Sequence, residues 1–431
     1  MTASIYRRRS FFKTSGALLA ASGTLGLVSG CATMGSGPKV VVVGGGFGGA
    51  TAAKYVRMWS DYGIQVTLVE PNAAFVSCPI SNLVLGGVKT MADITTPYDN
   101  LAKRHGVNLV RDMVISIDAD KRIVKLAGGG ELAYDRLIVS PGVDFMWETL
   151  PGMNKAGAHD KVLHAWKAGP QTLDLRRQLE AMPDGGVYAM SIPLAPYRCP
   201  PGPYERACQV ASYFKVAKPK AKVLILDAND DVTSKAGLFK KAWADRYAGI
   251  VEYRPKHVAT DVDAATNTLK FEFNEDVKAS VLNVIPAMRA GEIAVKTGLA
   301  TANKRWCEVD FLTFESKAAK NIHVLGDSIQ IAALMPKSAH MANQHGKTCA
   351  AAVIALLTGQ VPNDSPIYNN TCYSFVSADE VVHVASVHRY DAEKKTMLTV
   401  AGAGGVSAAA SALEGAYALG WAQNIWADTL A

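Results

Sequence analysis

Gly44-Gly45-Gly46-Phe47-Gly48-Gly49 follows directly on the apolar, β-branched run Lys39–Val43. The pattern predicts a helix over residues 50–59 and a second strand over 65–69 that ends in Glu70. Strand, tight turn, helix, strand and acidic residue form the context in which G-x-G-x-x-G binds an ADP moiety. Gly44, Gly46 and Gly49 let the backbone approach a pyrophosphate, and the helix N-terminus stabilises its charge. Glu70 can hydrogen-bond ribose hydroxyls. The expected fold class is therefore α/β. A length of 431 residues leaves room for two or three domains. With 49% apolar and 19% charged residues, the composition excludes wholesale disorder and a small disulfide-stapled scaffold.

The net charge of +7 is concentrated at the start of the chain. Arg7, Arg8, Arg9 and Lys13 precede the first acidic residue, Asp61, so a chain cut near residue 31 keeps only +3. That balance gives no case for nucleic acid. Arg8-Arg9-Ser10-Phe11-Phe12-Lys13, followed by a small-residue, apolar stretch from Gly16 to Val28, has the order of a twin-arginine export signal. The stretch is short of the ~20 residues a membrane span needs. Val28-Ser29-Gly30-Cys31 resembles a lipoprotein cleavage box, so Cys31 is either lipidated or removed. Both outcomes place the mature chain in the periplasm, where a disulfide can persist.

Two later segments select the dinucleotide. Tyr134–Gly142 resembles the strand-plus-glycine element that returns a chain to a flavin domain. Asn321–Asp327 is a buried strand ending in Gly326-Asp327, similar to the flavoprotein motif whose aspartate meets the ribityl chain. A helix N-cap is the other role open to Asp327. The ordered set implies FAD. Between these segments a second α/β region begins with the strand 186–192, where a nicotinamide domain would place another glycine turn. The chain instead reads Pro193-Leu194-Ala195-Pro196-Tyr197-Arg198-Cys199-Pro200-Pro201-Gly202-Pro203. Prolines leave no N–H groups to cradle phosphate, which argues against an NADH dehydrogenase.

Seven cysteines occur, at 31, 78, 199, 208, 307, 349 and 372, without C-x-x-C or zinc-ligand spacing, and no metal site is expected. No C-x-x-C-H is present, so this chain binds no covalent c-type haem itself. Cys208, Cys307 and Cys349 read as small buried hydrophobes. His340 and His345, five residues apart on one predicted helix, are poorly placed to form a metal face. Spacing alone cannot pair Cys199 with Cys372.

Arg198-Cys199-Pro200-Pro201-Gly202-Pro203-Tyr204-Glu205-Arg206-Ala207, Met335-Pro336-Lys337-Ser338 and Asn370-Thr371-Cys372-Tyr373-Ser374 complete a pattern that begins with Val41–Tyr55. With it the chain resembles the flavoprotein subunit of flavocytochrome c sulfide dehydrogenase, within the sulfide:quinone reductase and disulfide oxidoreductase superfamily. The resemblance implies two Rossmann-like domains of that type plus a C-terminal α+β interface domain. The implied boundaries are a signal segment 1–35, FAD domain 36–150 and 291–362, a pyridine-nucleotide-like domain without a glycine fingerprint 151–290, and the C-terminal domain 363–431. It further implies FAD carried through a thioether on Cys78, a redox-active disulfide between Cys199 and Cys372, Glu205 beside it and Trp421 at the active site. Lys337 precedes a helix over residues 338–357 whose N-terminus can stabilise reduced flavin. The implied substrate is sulfide and the implied acceptor a separate c-type cytochrome chain. Tyr373, Phe375, Trp421 and Trp426 lie in the C-terminal segment read as the partner interface. Rival readings are a sulfide:quinone reductase, kept alive by the apolar stretch 400–419, and a redox accessory of a thiosulfate-oxidising complex.

Overall fold

A computed structural model describes residues 37–431; the twin-arginine motif and Cys31 lie outside the described residues. Five parallel strands form the first sheet in the spatial order Ile322–Val324, Arg136–Val139, Lys39–Val43, Gln65–Val69, Asn108–Val110. In chain order this is the doubly wound arrangement 3-2-1-4-5, which opens a crevice beyond the carboxyl ends of the strands where the order reverses. Val40–Val43 are buried, as a strand covered on both faces requires. The helix Phe47–Trp59 packs on this sheet, and Ala339–Leu357 crosses it closely. A methyl on Gly346 would stand 2.6 Å from the Gly48 carbonyl oxygen, so only glycine permits the approach.

The second sheet repeats the plan with four parallel strands, Val251–Arg254, Lys222–Asp227, Val187–Ile192 and Val281–Val284. Its glycine-free turn leads into the helix Gly202–Ala217. At the end of its second strand, Asp227 is fully buried and accepts hydrogen bonds from Tyr204 Oη (2.7 Å), Tyr253 Oη (3.1 Å) and Asn229 Nδ2 (2.7 Å). The carboxylate that could read a nucleotide ribose is thus consumed internally.

The C-terminal segment is an antiparallel sheet, Ile367–Phe375, Val381–Asp391 and Thr396–Thr399, with Gly405–Val406 on the second strand, followed by the helix Ala412–Leu430. That helix returns to the FAD domain. Lys54 Nζ donates to the carbonyls of Ala427 (3.1 Å) and Asp428 (3.0 Å), placing a cation where the helix dipole is negative. This return accounts for part of the aromatic residues of the segment. Phe375 is buried, Trp426 Nε1 donates to Ser77 Oγ at 2.9 Å, and the half-buried Trp421 and Tyr373 line a cavity. Among the described residues no helix is long and apolar enough to cross a membrane, and no group of His, Cys, Asp and Glu is arranged to hold a metal ion.

Candidate active site

The crevice at the reversal point is a cavity of about 690 Å³. One end is the glycine turn, and the three glycines have separate reasons to be there. Gly44 has φ +95°, and a methyl on it would stand 2.3 Å from Ser140 O. A methyl on Gly49 would stand 1.9 Å from Gly44 O, so this glycine lets helix and strand touch. Gly46 has nothing within 4 Å of its β position, leaving space for a ligand. The helix that starts there has no side-chain cap and no acid in its first turn, so its N–H groups remain available to an anion. Glu70 Oε2 accepts from Gly45 N at 2.7 Å, and its other oxygen accepts from Asn72, so this carboxylate braces the turn while lining the cavity.

Gly326 and Asp327 line the same space. Gly326 takes φ +73° in a one-turn 3₁₀ segment, and the Asp327 side chain caps nothing, which excludes the helix-cap role. Burial pushes its carboxyl upward, against the charges of Arg198 and Lys337. Among the described residues it makes no side-chain hydrogen bond, leaving an acceptor free for hydroxyls of a ligand. An open glycine, uncapped helix N–H groups and a free, half-buried carboxylate fit a flavin dinucleotide.

Lys337 is placed differently from the expectation of a cofactor contact. Its Nζ donates to the carbonyls of Asp327 (2.8 Å) and Ile329 (2.6 Å) and lies 3.6 Å from the centroid of the Trp306 ring, behind the cavity wall. Burial lowers its pKa to about 7. What it offers the site is its carbonyl, which accepts from Cys199 N at 2.8 Å. The helix itself spans Ala339–Leu357 with Ser338 as its N-cap.

Cys78 lines the cavity from a loop fastened on both sides. Ser77 Oγ donates to Pro79 O (2.9 Å), Ser81 Oγ donates to Cys78 O (2.6 Å), and Ser77 N donates to Ile94 O (2.8 Å). Cys199 and Cys372 enter the same cavity from the proline loop and the strand Ile367–Phe375, both as free thiols. Cys199 has φ +59°, an uncommon angle for a residue with a side chain, and its carbonyl accepts from Gly202 N at 2.9 Å. Burial pushes both thiols up. For Cys199 the charges of Cys372 and Glu205 add to the effect, whereas Lys235 and Asn370 oppose it at Cys372.

Glu205, in the first turn of Gly202–Ala217, bridges these segments. Its Oε1 accepts from Phe375 N at 3.0 Å and its Oε2 from Asn82 Nδ2 at 3.0 Å. Burial raises its pKa, partly offset by those two donors. It does not pair with Arg206, whose guanidinium donates instead to Asn82 Oδ1 (3.1 Å), Asn283 Oδ1 (2.9 Å) and the carbonyls of His164 and Ala165. Trp421 closes the far wall, with His340 at 5.9 Å and Tyr373 at 6.0 Å between ring centroids.

Reading the sequence for roles missed Arg198, whose guanidinium donates to Trp166 O and lines the cavity, and Asn82, Lys235 and Asn370. Arg198 and Asn370 left a trace as the first residues of the two cysteine motifs, Asn370 also through its two-residue spacing from Cys372 and Ser374 on one strand face.

Three family models match. Residues 38–177 fit pyridine nucleotide-disulphide oxidoreductase, residues 172–286 fit the central part of the sulfide dehydrogenase [flavocytochrome c] flavoprotein chain, and residues 364–430 fit flavocytochrome c sulphide dehydrogenase, flavin-binding. A mitochondrial sulfide:quinone oxidoreductase of Mus musculus is 25% identical over 312 residues, 69% of this chain and 67% of that protein; for the Dictyostelium discoideum protein of the same name the match spans 65% of its length. The solved sulfide:quinone oxidoreductase of Aquifex aeolicus shares the fold, with a TM-score of 0.71, 16% identity and 91% of each chain covered. A sulfide dehydrogenase [flavocytochrome c] flavoprotein chain of Chlorobaculum thiosulfatiphilum is 67% identical over 46 residues, 11% of this chain and 94% of that sequence. With those models over its central and C-terminal regions and this relative nearly spanned, the chain belongs to the family of flavocytochrome c sulfide dehydrogenase flavoprotein chains.

Proposed function

We propose that this chain oxidises hydrosulfide at a Cys199–Cys372 disulfide, beside an FAD joined to Cys78, and that a separate periplasmic c-type cytochrome chain takes the electrons. Family membership supports the coarser part, a flavoprotein oxidoreductase acting on sulfide. One observation carries the rest: Cys199, Cys372 and Glu205, from distant segments, line the same cavity as the glycine turn and Cys78.

Hydrosulfide is a small anionic nucleophile. Its attack on a disulfide sulfur forms one S–S bond and breaks another, leaving a persulfide on one cysteine and a thiolate on the other. The sulfide sulfur is oxidised by two electrons and the disulfide reduced by two. When bound, FAD supplies an acceptor for an electron pair that can be released singly. The glycine turn, Glu70, Asp327 and Cys78 would hold it. Glu205, whose proton affinity burial raises, can take the proton of the incoming S–H group. Asn82 and the Phe375 N–H fix that carboxyl in place. Trp421 and His340 line the same cavity, 5.9 Å apart between ring centroids. The absence of C-x-x-C-H from the sequence requires the haem to come from another chain.

The test is anaerobic mixing with sulfide, followed by cytochrome c or a soluble quinone. Cytochrome c should be reduced and the quinone not, and Cys199→Ser should abolish the reaction. Reduction of the quinone alone would transfer the chain to the sulfide:quinone reading that its relatives favour.

A further inference from the structure

The carbonyl oxygen of Trp166 is shared by two side chains of the cavity. The Arg198 guanidinium donates to it through Nη2, and the Cys78 thiol points at it from 4.0 Å. This carbonyl is a fixed platform. Trp166 Nε1 donates back to Arg198 O at 3.2 Å and Trp166 N donates to His164 Nδ1 at 2.8 Å. The preceding carbonyls, of His164 and Ala165, are held by Arg206. A guanidinium and a thiol from distant segments therefore meet at one oxygen. Trp166 O is the one side-chain hydrogen-bond partner of Arg198 among the described residues, so N–H donors remain for the cavity it lines. Burial works against its charge. Cys78 leads the groups that would favour it, ahead of Asp327 and Cys199. The titratable or charged groups facing the thiol are Arg198 and Cys199 from the proline loop and Arg206 from the helix Gly202–Ala217. Arg206 is already occupied by Asn82, Asn283 and the two carbonyls, which leaves Arg198 as the cation with donors to offer.

We propose that Arg198 drives the joining of the flavin to Cys78 by stabilising the thiolate that makes the bond, so that the chain attaches its own cofactor. The assignment rests on the reading that Cys78 carries the flavin and adds the group that activates it. Cys78 Sγ forms an S–C bond to a ring-methyl carbon. One C–H bond of that methyl breaks, its proton leaves, and the thiol proton leaves as well. The electron pair passes to the flavin ring, which is thereby reduced by two electrons. The ring is itself the oxidant, so the bond needs no further co-reactant, and the acceptor of normal turnover reoxidises the ring. The thiolate is the nucleophilic form of cysteine, and a neighbouring opposite charge favours it. Arginine suits the task because its guanidinium keeps its charge in a low-dielectric setting. Arg198 is a positioning residue, acting through its charge on the sulfur and taking no part in the bond changes.

The test compares the mass of the unfolded full-length chain with the flavin absorbance of the native protein. Cells starved of riboflavin are resupplied, and the chain is purified at successive times. The parent should gain the flavin mass. Arg198→Met should show flavin in the native protein while gaining that mass about tenfold more slowly or worse, and Arg198→Lys should recover most of the rate. Arg198→Gln keeps a donor for Trp166 O without the charge, and provides the measurement if the methionine variant does not fold. Purified Arg198→Met with flavin bound but unjoined is then held at rising pH. Joining should resume as hydroxide ionises the thiol, a response that a merely misplaced sulfur would not give. No flavin mass on the parent overturns the reading of Cys78 and the proposal with it. Flavin mass gained at the parent rate by Arg198→Met or Arg198→Gln overturns the proposal alone, as does bound flavin that stays unjoined at alkaline pH.

Discussion

An alanine at Gly46 adds a methyl where nothing lies within 4 Å, on a residue with φ −69° and ψ −172°, angles open to any side chain. An alanine at Gly49 adds the same methyl 1.9 Å from the Gly44 carbonyl oxygen, whereas ordinary contact begins at 3.4 Å. For Gly46 the protein loses only a favourable N-cap residue, about 0.5–1 kcal/mol, but the methyl enters the space offered to a pyrophosphate. For Gly49 the gain of about 1 kcal/mol in helix propensity is outweighed. The helix Phe47–Trp59 must move off the strand against a packed core, at about 1–3 kcal/mol or more. The assay is flavin absorbance per chain after purification, together with denaturant unfolding. Both variants are compared with their parent in a Cys78→Ser background stripped of flavin, so that cofactor binding does not contribute to stability. Gly46→Ala should lose flavin while staying within about 1 kcal/mol of its flavin-free parent. Gly49→Ala should be the less stable of the two. A Gly46→Ala protein that retains full flavin, or two variants of equal stability, would refute the division of labour read from the turn.

Cys78→Ser should bind flavin in the native state but release it on denaturation, seen as loss of the flavin mass from the unfolded chain; flavin that persists would place the link elsewhere. Glu205 has a raised folded pKa, so its contribution to stability is present below the ordinary carboxylate range and fades as pH rises through the folded value. Glu205→Gln should therefore lose about 1–3 kcal/mol at low pH, where a donor replaces an acceptor facing Asn82 or Phe375. The deficit should narrow with rising pH, and a deficit that widens in unfolding measurements contradicts the sign. Lys54→Met should free the last turn of Ala412–Leu430 at about 1–2 kcal/mol, detected as faster C-terminal proteolysis. Millimolar NADH should leave the flavin oxidised, because Asp227 is occupied by Tyr204, Tyr253 and Asn229; bleaching would reopen the second sheet as a nucleotide site.

What the sequence reveals depends on how far apart the cooperating residues are. The glycine turn was legible because strand, turn, helix and Glu70 fall within one short stretch, and each glycine's reason is local. Gly326-Asp327 was legible as a motif, but its freedom from capping duty was not. Lys337 and Lys235 were the least legible, since a lysine in a loop is usually solvated. One turns back onto the Asp327 and Ile329 carbonyls and the Trp306 ring; the other is buried by a strand that arrives much later in the chain. The placement of the C-terminal aromatic residues was hidden for a related reason. An apolar tail does not say which surface of its own chain it covers until the tie of Lys54 to Ala427 and Asp428 shows it. The same logic separates the two sulfurs. Both cysteines sit in distinctive motifs, yet the neighbours of Cys372 come from elsewhere, an amide held by a helix cap and the ammonium of Lys235, which directly precedes the helix Ala236–Arg246. Neither neighbour would be picked out by residue type, so the electrostatics of these thiols belong to their tertiary contacts and should respond to Ser338, Asn370 and Lys235 before they respond to any change in the cysteine motifs themselves.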